Sequence, residues 1–170
     1  IEPTGKLTVW GRHGEAHKKF SLNAAYRDEI LSALKLEKGV EYWLDSELMS
    51  KQANATNEII LYDVLQVGRY FFGNPDQMAR LEILKGICGD PQTLEPTGLA
   101  YQITPRVWMA QTFMEGFVER FEESFDNPKL EGLVLRKRKA ALDHFGNSEY
   151  ETGNMIRCRK PFSDDKGYNL

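Results

Sequence analysis

Apolar positions change period several times along the chain, and each change predicts an element. Pro3-Thr4-Gly5-Lys6 reads as a turn between a strand ending at Ile1-Glu2 and a second strand, Leu7-Thr8-Val9-Trp10, which Gly11-Arg12-His13-Gly14 interrupts. Leu22, Ala25, Ile30, Leu31 and Leu34 predict one or two helical turns on a sheet, ending near Lys38-Gly39. Tyr42 to Met49 reads as a strand with acids at Asp45 and Glu47. Ile59 to Leu65 is a continuous apolar run holding one acid, Asp63, the pattern of a buried strand. Asp76 to Ile87 predicts a helix with Met78, Leu81, Ile83, Leu84 and Ile87 on its apolar face and Gly86 and Gly89 near its end. Leu99 to Ile103 is a short strand. Val107, Ala110, Met114, Phe117, Val118 and Phe121 recur at helical spacing, so Val107 to Phe125 is predicted as the strongest helix, stopped by Asn127-Pro128. Leu130 to Arg136 returns to strand. A loop around Gly146-Asn147 and Gly153-Asn154 leads to a last strand, Met155 to Arg159, closed by Pro161.

Strands and helices alternate without the rhythm of a doubly wound parallel sheet. The pattern predicts an α+β fold of mainly antiparallel sheets with packed helices, in one domain over residues 1 to 170 with no repeat or linker. The chain is 41% hydrophobic and 28% charged, with a net charge of −3. That balance argues against bulk coating of nucleic acid but leaves room for a local basic strip. No apolar run approaches the roughly 18 residues of a membrane span, and no charged-then-apolar leader opens the sequence. Cys88 and Cys158 belong to no Cys-x-x-Cys pair and read as reduced thiols of an intracellular protein. His13, His17 and His144 make no zinc set with them.

One stretch resists a purely structural reading. Residues 130 to 142, LEGLVLRKRKAAL, start with an acid and a glycine and end densely basic, as a groove wall for a polyanion and a metal would. Five short segments stand out in order along the chain: Trp10-Gly11-Arg12-His13-Gly14, Leu44-Asp45-Ser46-Glu47-Leu48, Leu61-Tyr62-Asp63-Val64-Leu65, Glu131-Gly132-Leu133-Val134-Leu135-Arg136 and Ile156-Arg157-Cys158-Arg159-Lys160-Pro161-Phe162. In this order they resemble the nucleotidyltransferase motifs of ATP-dependent DNA and RNA ligases, over nearly the whole chain. Ser46 stands where that family usually has Gly. Arg157 and Arg159 stand where Lys is typical, and alignment on Pro161-Phe162 would instead put Lys160 in the second cation position. The family's nucleophile is a lysine in a Lys-x-Asp-Gly motif. No Lys-x-(Asp/Asn/His)-Gly occurs in this sequence, so that lysine is expected a few residues upstream of Ile1. No oligonucleotide-binding domain is expected within the chain.

The resemblance implies an adenylation (ATP-grasp-like) core holding a nucleotide between two antiparallel sheets, with ATP as AMP donor and Mg2+ or Mn2+ as the metal. It implies Glu131 as metal ligand, Glu47 on the ribose, Tyr62 stacked on the purine, and Arg12 on the nucleotide or a 5′-phosphate. Arg157, Arg159 or Lys160 would meet the α-phosphate, and Lys160 is the natural general acid among them. Arg136, Lys137, Arg138 and Lys139 would meet nucleic-acid phosphates, giving salt-sensitive affinity without sequence reading. The partner is nicked DNA, favoured over RNA ends, and the expected state is a monomer. Several of these residues also have a plainer reading: Glu131 as an exposed acid starting an edge strand, Tyr62 as core, Glu47 as an ion-pair partner, and Arg12 or residues 137 to 139 as solvated surface. An mRNA-capping guanylyltransferase and a non-catalytic nucleotide- or nucleic-acid-binding relative are the rival functions.

Overall fold

The apolar run around Asp63 becomes β2 (Glu58–Val67), an interior strand of a six-stranded sheet. The structure is a computed structural model and describes residues 1–11, 14–16, 22–49, 58–72, 76–90, 96–127, 130–140 and 154–161. Along one edge of β2 runs β1 (Tyr42–Met49), antiparallel. Along the other edge lie β3 (Tyr70–Phe71), paired with residues 66 and 67, and β6 (Val107–Ala110), parallel to residues 59 to 61. β5 (Ala100–Gln102) and β4 (Pro96–Thr97) continue beyond β6, antiparallel. Among the described residues, 62 to 64 therefore have no strand beside them on that second edge.

α1 (Ala24–Ala33) begins at Asn23, whose side-chain oxygen accepts the Tyr26 N–H at 2.8 Å. α2 (Gln77–Cys88) begins at Asp76, which accepts the Ala79 N–H at 2.9 Å. It ends at Gly89, whose φ of 104° favours glycine and whose N–H returns to the Lys85 carbonyl. Tyr26 and Ile30 from α1 and Leu34 just after it, with Leu84, Ile87 and Cys88 from α2, pack on Tyr42, Leu61, Val64, Val107 and Met109 of the sheet. Each such side chain taken out of water contributes about 1.5–3 kcal/mol. A second sheet is the hairpin of β7 (Gly132–Arg136) and β8 (Met155–Arg159), with α3 (Phe117–Phe125) packed on β7.

The fold class is α+β, with the parallel β2–β6 pair making the large sheet mixed. Three expectations change. The helix expected over 107–125 is a strand followed by a shorter helix. Val107 and Met109 fill the core while Trp108 and Ala110 are less buried, an alternation imposed by pairing with β2 and β5. Gly116, at φ 69°, then delays the helix to Phe117. Leu7 to Trp10 forms no ladder; Trp10 makes an isolated bridge to Ala16. The turn before it does form, with Gly5 N–H on the Glu2 carbonyl at 2.8 Å, and Ile1 exchanges backbone hydrogen bonds with Tyr42. α1 stops at Ala33, short of the separate turn at Lys38-Gly39. No helix of the described residues is long and apolar enough to cross a membrane.

Candidate functional site

Side chains alternate along β1. Tyr42, Leu44 and Leu48 face the core, so Trp43, Asp45 and Glu47 face the other way. β2 carries two extra residues against β1, because the register steps from Trp43↔Gln66 to Leu44↔Val64 and from Asp45↔Asp63 to Ser46↔Leu61. Tyr62 is one of them. A bulge re-aims its residue, and here it carries Tyr62 onto the open face, where its hydroxyl donates to Glu47 Oε2 at 2.9 Å.

The β7–β8 hairpin is tied to this sheet through Arg136. Gly132 has a φ of 145°, and a Cβ there would lie 2.0 Å from the Cys158 carbonyl oxygen, so β7 and β8 approach as closely as they do only with glycine at this position. Gly132 pairs with Arg159, Val134 with Arg157 and Arg136 with Met155, which puts the two exposed arginines on the same hairpin face as Arg136. The exposed Glu131 carboxylate stands 3.9 Å from the Arg159 guanidinium.

Arg136 is placed otherwise than the phosphate role expected for it. Its guanidinium donates to Asp63 Oδ2 at 2.8 Å and to Gln77 Oε1 at 3.2 Å, and lies 3.9 Å from Asp45. Asp63, only 1% exposed, also accepts from Arg80 Nε at 3.0 Å and Nη2 at 3.3 Å. Arg80 comes from α2 to the stretch of β2 left open between β3 and β6, and donates further to Gln77 and to the Ala140 carbonyl. Taking two charges out of water is costly unless every atom finds a partner, and the second arginine completes the set. Arg136 is thereby a pin between hairpin and sheet. Lys160 is also turned from the groove expected for it. Its Nζ donates to the Ser124 and Asn127 carbonyls at 2.8 and 2.9 Å, at the C-terminal end of α3, where a cation meets unsatisfied carbonyls. Lys137, Arg138 and Lys139 are exposed.

The groove is electrostatically mixed. Burial pushes the Tyr62 hydroxyl well above the ordinary tyrosine range, helped by the charge and hydrogen bond of Glu47 and by the charges of Asp45 and Glu131. Tyr62 is therefore a donor, fixing the Glu47 carboxylate. Burial also raises Asp45, against Arg136, with Asp63 and Glu47 adding to the rise. Among the described residues, no three His, Cys, Asp or Glu gather as a metal-holding group.

Thus the structure pairs Glu47 with Tyr62 on the sheet and Glu131 with Arg159 on the hairpin, with Arg157 on the same hairpin face as Arg159, and sends Arg136 and Lys160 to structural partners. Arg12, His13, His17 and His144 lie outside the described residues. Sequence reading missed the Asp63–Arg80 pair, although an acid inside an apolar run signals a buried partner. It also missed Trp43, an indole at an outward position of β1. No family model matches the chain, and neither a curated protein nor a solved structure does.

Proposed function

We propose that this chain is the adenylate-binding core of a polynucleotide ligase, with nicked DNA favoured over RNA ends. The AMP group would lie between the open face of β1 and β2 and the β7–β8 hairpin. Glu47, held by the Tyr62 hydroxyl, would accept from the ribose hydroxyls, and the Tyr62 ring would meet the purine. Arg159, with Arg157 along the same face, would neutralise the α-phosphate; Arg159 takes this role in preference to Lys160 because the Lys160 amine is occupied on α3. Magnesium or manganese arriving on the nucleotide phosphates often keeps only one or two protein carboxylates, and Glu131 could serve as one. The ion would supply charge neutralisation on the phosphate oxygens.

The observation that carries this reading is the meeting of Glu131 and Arg159, 3.9 Å apart, on a hairpin that Arg136 ties to the strand bearing Tyr62. The test is a nicked DNA duplex whose 5′-phosphate already carries AMP, given to the chain with Mg2+ and no ATP. The 3′-hydroxyl oxygen should attack the capped phosphate, forming the phosphodiester and releasing AMP. Joining above the protein-free rate is expected, falling at least about tenfold in Arg159→Ala and Glu131→Ala, the size of losing one charge-stabilising contact. AMP binding without joining would favour the non-catalytic relative, and neither would remove the proposal.

A further inference from the structure

The open face of β1 continues past the Glu47–Tyr62 pair to Trp43, and there a second indole meets it. Trp10 stacks on Trp43 with ring centroids 6.2 Å apart and planes within 13°. Each remains about half exposed, Trp10 at 52% and Trp43 at 45%. The Trp43 indole N–H already donates to Glu41 at 2.9 Å, which fixes that ring without using its faces. Large apolar rings left in water in parallel register are a ready platform for another flat ring. Asp45, next along this face, lies 3.9 Å from Arg136, the residue that ties the hairpin to the sheet. Acids at Glu41 and Asp45 disfavour a phosphate on the rings themselves but tolerate a neutral base.

The geometry points to the Trp10–Trp43 pair as a stacking site for an unpaired nucleobase of a single strand or an opened end. This extends the proposed nucleotide groove but does not need nucleotidyl transfer. Labelled oligothymidylate and oligouridylate, titrated by fluorescence anisotropy beside a separate AMP–Mg2+ titration, test it. Trp43→Ala and Trp10→Ala should weaken oligonucleotide binding about tenfold, within the range of one base–aromatic stack, and leave AMP binding unchanged. Trp43→Phe, keeping an aromatic face, should restore most of the affinity. The thymidylate and uridylate arms tell a DNA strand from an RNA strand, and tighter binding of either by the intact pair supports the site. Oligonucleotide binding indifferent to both alanine variants overturns the platform and leaves the AMP groove standing. Trp-dependent oligonucleotide binding without AMP binding keeps the platform and removes the groove. Equal loss of both ligands, or no rescue by Phe, shows the pair to be structural and overturns it.

Discussion

The six-stranded sheet and the β7–β8 hairpin are held by different forces. The sheet is fixed by apolar side chains from two helices and four strands, whose burial is non-directional and tolerant. The hairpin leaves Val134 and Ile156 about half exposed and depends on directed contacts: Gly132 against the Cys158 carbonyl, Arg136 on Asp63, and Lys160 on the end of α3. The sheet therefore belongs to the core, while the hairpin hangs on charges and one glycine. Substitutions should separate the two regions.

The largest effect is expected where the two regions share a residue. Asp63→Ala strands Arg80 in the interior and releases Arg136, so chemical denaturation should show a loss of about 3–5 kcal/mol, the usual cost of breaking a buried pair. A loss below about 1 kcal/mol would mean that the pair is not what locks this region. Gly132→Ala should cost about 1–3 kcal/mol in backbone strain alone, before the clash with Cys158 is counted. Hydrogen exchange should show that loss confined to 132–136 and 155–159, with β2 protection unchanged. Arg136→Met removes charged hydrogen bonds but leaves Asp63 paired with Arg80, so a loss of about 1–2 kcal/mol is expected. AMP binding should weaken with it as the hairpin loosens.

Smaller changes sharpen the contrast. Lys160→Met should cost about 1 kcal/mol and leave AMP affinity intact, because the amine serves α3 rather than the groove. Asp45→Asn should stabilise slightly, by less than about 0.5 kcal/mol near neutral pH. The sign follows from its raised pKa: the favourable contribution of Asp45 is present while it is protonated and is lost as pH rises through the folded value. The gain from Asn should thus vanish in acid, as melting curves across pH would show.

What the sequence discloses follows the same division. β1, β2, α2, β7 and β8 carry local signals, such as the Asp76 cap, the Gly89 stop and the apolar run around Ile60, and these suffice to find them. Residues 107 to 110 mislead because two periods fit the same apolar positions, and pairing with β2 decides between them. Of the candidate site residues, Glu47, Tyr62, Glu131 and Arg159 stand out in the sequence because their neighbours form short motif-like segments. Arg136 and Lys160 are not, since a cation in a sequence does not reveal its acceptor: one finds a buried aspartate, the other a helix end. Trp43 is invisible until alternation along β1 shows which way it points.

The central claim is that the sheet and the hairpin, as two walls, form one nucleotide site. Calorimetric titration of the chain with AMP in the presence of Mg2+ tests it most directly. Saturable binding should appear, weakened about tenfold or more by Glu47→Ala on one wall and by Arg159→Ala on the other, as expected for lost charge-assisted contacts. No saturable binding at millimolar AMP, or binding indifferent to both substitutions, would contradict it.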